Sequence, residues 1–236
     1  SISNRLLILQ SIFPNITIKN LSTSDDTRHM SVALKSSSNK INIRHAGTAM
    51  RFLTSFFSVK KNSIVDIYGS KRMHKRPISI LVKSLKKIGA KIEYLENSGF
   101  PPLRIIGHKL QSKKLRIDSS ISSQFISSLL LISPKIEGGL EIEMTGKDTS
   151  LPYIEMTIDL LKKIGVLVTY HKNIISINQK EKINAIEITV EPDWSSASYF
   201  YSIVSLAEIG YSLELTNFNR HSIQGDKRVT KIFELF

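Results

Sequence analysis

The stretch that decides the fold is residues 48–59, TAMRFLTSFFSV, which predicts a helix. Its apolar side chains cover most of the helix circumference, and a helix of that kind must be buried. Helices that begin in a similar way are predicted over 122–133 and 195–209. Their starts lie 74 and 73 positions apart and indicate copies of one unit: Thr48, Ser122 and Ser195.

A later part of this unit repeats as well. Residues 85–89 and 161–165 both read LKKIG and stand 76 positions apart. Each ends a predicted helix at a glycine that suits the left-handed cap position. Predicted strands such as 139–145 and 185–191 alternate apolar and charged residues, which is typical of sheets with one wet face. We therefore expect the sheets outside and the apolar helices inside.

The sequence thus predicts an α/β fold, an inside-out repeat of three β-α-β-α-β-β units with buried helices and outer sheets. Residues 3–44 are interpreted as a shorter first copy, and strand 185–191 as the end of the third unit. Residues 1–191 would form this lobe, and 192–236 would cross over and begin a second, similar lobe. The elements predicted in that second segment are a helix, a strand and a helix: 195–209, 212–218 and 225–236.

Composition limits the classes of function. The 236 residues include 33 Lys and Arg against 20 Asp and Glu, for a net charge of +13. The lysines are scattered, mostly at helix ends and on strand faces, where they complement the helix dipole. A nucleic-acid site needs basic residues gathered on one face with aromatic residues between them. The charge therefore favours a small anionic substrate, with a basic nucleic-acid-binding module as the alternative.

Cysteine usage and hydropathy bear on the compartment. The chain has no cysteine, which excludes disulfides and is compatible with a reducing cytoplasm. No run approaches the ~18 apolar residues that span a bilayer, and the start lacks a signal-peptide pattern. We therefore expect a cytoplasmic protein that does not bind a membrane. Because both ends fall inside helix patterns, we also expect a longer full-length protein.

Candidate ligand-binding residues stand at helix starts, where unpaired N–H groups and the positive end of the dipole attract anions. Ser122, Ser123 and Gln124 open a buried helix. Either capping or anion binding accounts for the two hydroxyls there. Ser150 is an ordinary N-cap before a proline, and Tyr153 lies on the first turn, where it can face a ligand.

Residues 69–77, GSKRMHKRP, form the densest basic cluster. They are either a solvated loop or a place where an arginine such as Arg72 binds a carboxylate or phosphate through two parallel hydrogen bonds. Gly47 lets the backbone approach a ligand closely, while His45 on its own is an ordinary loop histidine. No metal-ligand spacing, P-loop or dinucleotide fingerprint is present, so neither a metal nor a cofactor is predicted.

Seven strings of the sequence together resemble the EPSP synthase (3-phosphoshikimate 1-carboxyvinyltransferase) family. Each is weak alone, but all seven run in order through the whole chain, which makes the match specific. They are SNR at 3–5, DDTRHM at 25–30, AGTAMR at 46–51, RMHKRPI at 72–78, SSQF at 122–125, SSASYF at 195–200 and QGD at 224–226. The family has two lobes, each of three β-α-β-α-β-β units with helices inside, which matches the inside-out prediction.

The resemblance implies transfer of the enolpyruvyl group of phosphoenolpyruvate to the 5-hydroxyl of shikimate-3-phosphate, with no metal or organic cofactor. It assigns the shikimate-3-phosphate contacts to seven residues: Ser1, Arg5, Ser122, Ser123, Gln124, Ser150 and Tyr153. It assigns the phosphoenolpyruvate contacts to Gly47, Arg72 and Gln124, with His45 beside them. The family's catalytic acid–base residues are expected in the second lobe, outside this chain. We therefore expect this chain to be inactive alone and the full-length protein to be a monomer.

The sequence departs from the family pattern at two positions. His45 stands where an asparagine is usual, and Trp194 replaces a small residue. UDP-N-acetylglucosamine enolpyruvyl transferases share the architecture and are the alternative enzyme. They usually carry a cysteine on a mobile loop of this lobe, which this chain does not have.

Overall fold

The structure is a computed structural model that describes residues 1–120, 122–146 and 150–235. In these residues, α-helices alternate with strands in three sheets. The helices are α1 Ile2–Ile12, α2 Asp25–Lys35, α3 Gly47–Val59, α4 Ser79–Lys87, α5 Ser123–Ile132, α6 Leu151–Lys163, α7 Trp194–Ser205 and α8 Val229–Phe233. The strands are β1 Ile16–Lys19, β2 Lys40–Asn42, β3 Ser63–Tyr68, β4 Lys91–Tyr94, β5 Leu103–Gly107, β6 Lys114–Asp118, β7 Leu140–Thr145, β8 Val168–His171, β9 Ile174–Ile177 and β10 Ile186–Thr189.

Two sheets of four strands repeat one topology. Their strand orders are β2-β3-β5-β4 and β6-β7-β9-β8. In each sheet the first two strands run parallel and the remaining pairs run antiparallel. The parallel pairs are joined through a buried helix, α3 or α5, as parallel neighbours require. The predicted β-α-β-α-β-β unit is thus confirmed twice.

The third sheet joins the two ends of the lobe, because β1 pairs in parallel with β10. Two expectations are therefore wrong. The strand predicted within 40–44 pairs with β3 and opens a complete unit, and the strand predicted at 185–191 pairs with β1 and does not close the third unit. Alternation of side chains shows which strand face is buried, whereas the path of the crossovers decides the neighbouring strand.

The two apolar helices, α3 and α5, lie inside the fold, as the sequence predicted. Helix α3 packs against α1, α2 and α5, and its residues 49–58 are all buried. Residues 125–132 of α5 are buried as well. The hydroxyl groups of Ser55 and Ser128, 2.6 Å apart, join these two helices. Each four-stranded sheet turns its apolar side chains towards this helical core, which confirms the inside-out fold.

The segment after β10 differs from its prediction. Residues 212–218 have no strand ladder to any described strand, so the strand expected there is wrong. A strand needs a hydrogen-bonding neighbour, and hydropathy alone does not supply one. The helix expected over 225–236 is shorter: Gly225–Arg228 is a 3-10 helix, and α8 ends at Phe233. Phe236 lies outside the described residues.

Trp194 anchors the start of α7. Its side chain is buried, and its ring meets that of Phe218 edge-on with centroids 4.8 Å apart. Its backbone N–H donates to Oε1 of Gln224 at 3.1 Å. The large residue therefore fills a small core between α7 and the chain that follows. The division into lobes between residues 191 and 192 stays a prediction.

In the part of the chain that the structure covers, none of the helices combines the length and the apolar character needed to cross a bilayer.

Candidate anion-binding site

A cavity of ≈ 900 Å³ lies where α1 to α6 begin. Each of these helices lines it with a residue of its N-cap or first turn: Ser1, Ser24, Thr48, Ser79, Ser123 and Ser150. Helix N-termini present unpaired N–H groups and positive partial charge, so their convergence makes the cavity electropositive. Two of the three repeated helix starts, at Thr48 and Ser122, meet here, whereas Ser195 lies outside the wall.

Arg5 of α1 places a buried charge in the cavity wall, with only 2% of its surface exposed. Its guanidinium donates to the hydroxyls of Thr157 at 2.7 Å and Ser127 at 3.2 Å, and to the carbonyl of Tyr153 at 3.0 Å. These partners are all neutral. Burial lowers the pKa of Arg5 to about 10, because removing water disfavours the charged form.

Arg51 of α3 is a second buried charge, 5% exposed. Its guanidinium donates to the carbonyls of Gly47 at 3.0 Å and Pro77 at 3.3 Å. Its Nε is buried and has no hydrogen-bond partner among the described residues. Burial, and then the neighbouring charge of Arg76, lower the pKa of Arg51 to about 10. Two like charges thus lie side by side in the wall.

Arg76 adds the third guanidinium of the wall. It covers the start of α3 so closely that a Cβ at Gly47 would collide with its guanidinium. Glycine is needed here for this close approach and not for an unusual backbone angle. The basic cluster at 69–77 therefore reaches the cavity through its arginine nearest to α4.

The three arginines have no ion-pair partner: among the described residues, no carboxylate oxygen lies within 4.0 Å of them. The acids of the wall, Asp25 and Asp26, occupy the first turn of α2, where the helix dipole stabilises them. Asp25 is 3.8 Å from an arginine of its own helix. An anion bound in the cavity would supply the missing counter-charge.

Hydroxyl and amide groups of α5 form another side of the wall. The Oγ of Ser122 accepts from the backbone N–H of Gln124 at 3.3 Å, so Ser122 does cap the helix. The side-chain amide of Gln124 donates to the Thr48 hydroxyl at 3.4 Å and links the starts of two repeated helices. Ser123 also lines the cavity and is buried. Capping thus accounts for one of the two serines.

Tyr153 closes the cavity from the first turn of α6. Its hydroxyl donates to the carboxylate of Asp226, with both oxygens at 3.0 Å. Ser195 donates to the same carboxylate. Burial raises the pKa of Tyr153, and the negative charge of Asp226 raises it further. The phenol is therefore held by a residue from the segment that follows β10.

The cavity brings together all seven residues predicted to contact shikimate-3-phosphate. Arg72 does not line the cavity. It directly precedes the 3-10 helix Met73–Lys75 and is exposed. His45 is also exposed, and its ring meets that of His29 edge-on at 5.8 Å. Gly47 is buried beneath Arg76. The ligand assignments themselves stay predictions.

Sequence reasoning passed over Arg51, Arg76 and Asn4 as site residues. Asn4 is buried in the wall, and its Oδ1 has no hydrogen-bond partner in the described structure. Arg51 had a visible signal, since it is the single charge in the apolar helix 48–59. Nothing distinguished Arg76 from the other basic residues of its cluster, because only tertiary packing places it on Gly47.

Among the residues that the structure describes, no three His, Asp or Glu side chains are arranged to hold a metal ion. The expectation that the protein uses no metal or cofactor stays a prediction.

Fold and site together define a class of protein: an inside-out α/β repeat lobe whose helix starts surround buried arginines. Comparison with known sequences identifies the family. The profile of EPSP synthase (3-phosphoshikimate 1-carboxyvinyltransferase) matches residues 31–235. The chain belongs to the EPSP synthase family, as the resemblance of its seven strings indicated.

Individual relatives agree with this assignment. The 3-phosphoshikimate 1-carboxyvinyltransferase of Bacteroides fragilis strain YCH46 is 42% identical over 99% of this chain and 57% of its own length. That of Haemophilus influenzae strain PittEE is 38% identical over 99% of this chain and 61% of its own length. An EPSP synthase structure from Acinetobacter baumannii superposes with a TM-score of 0.72 at 22% identity, over 85% of this chain and 49% of that one. The superposition on the Acinetobacter baumannii structure confirms the fold. This chain spans less than two thirds of the length of each of these relatives.

Proposed function

We propose that this protein transfers the enolpyruvyl group of phosphoenolpyruvate to the 5-hydroxyl of shikimate-3-phosphate and releases phosphate, as the names of its relatives suggest. In this reaction the 5-hydroxyl gives up its proton as its oxygen bonds to C2 of phosphoenolpyruvate, and C3 gains a proton, which gives a tetrahedral ketal. A proton then leaves C3 and the bond from C2 to the phosphate oxygen breaks, which restores the double bond and releases phosphate. This chain would bind the substrates, and the acid–base residues would lie outside it.

The observation that carries the proposal is the pair of buried arginines, Arg5 and Arg51, in one cavity with no carboxylate partner among the residues that the structure describes. A buried charge is costly unless it is compensated. Here the compensation comes from neutral hydrogen bonds and leaves a net positive site with lowered pKa values. A substrate that carries both a carboxylate and a phosphate is the complement of such a site.

Each predicted contact then has a physical role. The hydroxyl groups of Ser1, Ser122, Ser123 and Ser150 and the amide of Gln124 would bind phosphate and sugar oxygens without adding charge. Arg5 would supply the charge for shikimate-3-phosphate, and the ring of Tyr153 would lie against its carbon ring. Such preset donors need no rearrangement during the reaction and stabilise developing charge well when water is excluded.

Phosphoenolpyruvate would bind beside this substrate. Its carboxylate and phosphate would meet Arg72 and Gln124, with the Gly47 backbone and His45 nearby. Because Arg72 and His45 do not line the cavity, their part in binding requires movement of the segments that carry them or closure of a second lobe over the site. Arg51 and Arg76 line the cavity and would already supply two positive charges for the carboxylate and phosphate of phosphoenolpyruvate.

We further propose that the protein acts in the cytoplasm as a monomer, on small molecules, without a metal or cofactor and apart from nucleic acids and membranes. The cysteine-free sequence is compatible with a reducing compartment. The scattered lysines favour small anions over nucleic acid.

Calorimetric titration of this chain with shikimate-3-phosphate tests the proposal. We expect one saturable site, and about a tenfold or greater loss of affinity in Arg5→Ala, since about 1.4 kcal/mol corresponds to a factor of ten. Arg104→Ala is the matched control, because Arg104 is an exposed arginine on β5 that pairs with Asp66, and its affinity should match the unmodified chain. Absence of heat from all three proteins would remove Arg5, Ser122 and Ser123 from the assigned site.

A duplex DNA titration at increasing salt separates the alternative. Electrostatic binding to DNA falls steeply and linearly on a log–log scale as salt rises. Tight, steeply salt-dependent DNA binding without a saturable response to shikimate-3-phosphate would favour the nucleic-acid module instead.

A further inference from the structure

The inference concerns the hydroxyl groups that hold Arg5 from behind. Thr157 of α6 and Ser127 of α5 are both fully buried, at 0% exposure. Nε of Arg5 donates to Thr157 Oγ1 at 2.7 Å, and Nη2 donates to Ser127 Oγ at 3.2 Å. Neither residue lines the cavity. Their hydroxyls therefore touch Arg5 and not the space where a ligand would bind.

The two hydroxyls also converge on one backbone group of a proposed substrate contact. Thr157 Oγ1 lies 3.0 Å and Ser127 Oγ 3.3 Å from the carbonyl oxygen of Tyr153, and Nη2 of Arg5 donates to the same oxygen at 3.0 Å. The two hydroxyls are themselves 3.1 Å apart. Arg5, α5 and the first turn of α6 thus share one closed hydrogen-bond cluster.

A count of donors shows what this cluster leaves for a ligand. A guanidinium has five N–H groups. The single N–H of Nε donates to Thr157, and the two N–H groups of Nη2 donate to Ser127 and Tyr153. One of the two N–H groups of Nη1 donates to the Ser1 carbonyl at 3.2 Å. One N–H of Nη1 remains. Arg5 can therefore offer a ligand its charge and a single hydrogen bond, and the cluster decides where that bond points.

We propose that Thr157 and Ser127 are positioning residues: they fix the Arg5 guanidinium so that its one remaining N–H is directed at the anion in the cavity. The proposal rests on the proposed function, because it takes that anion to be shikimate-3-phosphate. A guanidinium that lost these two acceptors would keep its charge and its bonds to the Tyr153 and Ser1 carbonyls, but it would be held less firmly, so a ligand would have to order it on binding.

Hydroxyls that bond the carbonyl four residues earlier are common in helices and need no functional explanation. Thr54 of α3 provides that ordinary case, since its Oγ1 donates to the Met50 carbonyl at 2.7 Å and the residue is 0% exposed. Among the described residues, no arginine donates a hydrogen bond to Thr54. Thr54→Val is therefore the matched control for Thr157→Val, with the same volume change in an equally buried helix.

The first experiment observes Arg5 directly, without any ligand. The exchange rate of its side-chain Nε–H is measured by NMR in the 15N-labelled chain, and Arg5→Lys assigns the signal. We expect Thr157→Val to accelerate the exchange by about tenfold or more, because the Nε–H loses its buried acceptor. Thr157→Ser should restore slow exchange, and Thr54→Val should leave the rate unchanged.

The second experiment titrates the same proteins with shikimate-3-phosphate. We expect Thr157→Val to weaken binding about 10- to 100-fold, Thr157→Ser to bind within about twofold of the unmodified chain, and Thr54→Val to bind normally. Ser127→Ala, which removes the acceptor of Nη2, should also weaken binding and serves if Thr157→Val does not fold. Circular dichroism of each variant checks that the fold is kept.

Unchanged Nε–H exchange in Thr157→Val, or equal loss of affinity in Thr54→Val, would overturn the positioning role. If exchange accelerates as expected but no protein binds shikimate-3-phosphate, the positioning of Arg5 stands and the proposed function fails.

Discussion

The arginines of this chain occupy two kinds of environment, exposed and buried, and their partners differ between the two. Arg104 on β5 is exposed and donates twice to Asp66, at 2.8 and 2.9 Å, which lowers the pKa of that carboxyl group. Solvent screens such a surface pair, and it adds little to stability. Arg5 and Arg51 are buried and have no carboxylate within ion-pair distance in the described part of the chain, which costs stability. In the proposed function, the bound anion completes the charge balance.

The phenol of Tyr153 provides a test at the same scale. Burial raises its pKa first, and the Asp226 carboxylate raises it next. In Asp226→Asn the negative charge is gone, so the phenolate is less disfavoured and the pKa of Tyr153 should fall, while burial still holds it above the ordinary value. NMR titration of 13C-labelled tyrosine measures this shift.

Tyr94 is the internal control for that titration, because burial alone raises its pKa. Its titration should be the same in both proteins. A Tyr153 pKa that stays constant or rises in Asp226→Asn would show that the carboxylate does not act on the phenol.

At the scale of elements, α3 and α5 perform two tasks at once. Their apolar circumference forms the core of the lobe, while their N-terminal turns line the cavity. The hydroxyl contact between Ser55 and Ser128 and the bond from Gln124 to Thr48 hold the two helices in a fixed relation. The geometry of the site therefore depends on core packing as well as on the residues that face the ligand.

Leu53→Ala in α3 tests that dependence on packing. Leu53 is 0% exposed, so its truncation should lower the free energy of unfolding by about 2–5 kcal/mol through lost burial and a cavity. Urea denaturation monitored by circular dichroism gives the value.

Leu167→Ala is the control for that measurement, since Leu167, directly before β8, is 62% exposed, and it should change stability by about 0.5 kcal/mol or less. Similar effects of the two substitutions would contradict the buried position of α3.

At the scale of the whole molecule, the segment after β10 reaches back to the helices that line the cavity. Asp226 bonds Tyr153, and Gly225 lies so close to Pro152 that a Cβ there would collide with the proline ring. The segment after β10 is thus fastened to the first turn of α6, next to the cavity. The relatives are longer than this chain, which spans 57% to 61% of the two named above.

We expect this chain to show no phosphate release from phosphoenolpyruvate and shikimate-3-phosphate. Its site is open to water, and in the proposed function the acid–base groups lie outside this chain. A colorimetric phosphate assay tests this, with the full-length Bacteroides fragilis relative as positive control. Phosphate release above the blank by this chain alone would show that the catalytic groups are among its own residues.

Up to β10, the sequence by itself determined most of the elements and the faces they bury, because both follow from local patterns. Residues 48–59 and 122–133 had to be buried helices, since no face of either is polar enough for water. The serine and threonine starts of those helices likewise predicted a common anion site. Seven short strings in register then indicated the family without any structure.

Only the tertiary structure decided which elements meet. The pairing of β1 with β10 and the absence of a ladder at 212–218 depend on neighbouring strands, which no local pattern names. Arg5 reaches Thr157 and Ser127 across 152 and 122 positions of sequence, and Arg76 covers Gly47 although nothing in its cluster marks it. Such contacts are decided by the paths of the crossovers and the packing of helices in space, and neither is encoded in the periodicity of a single segment.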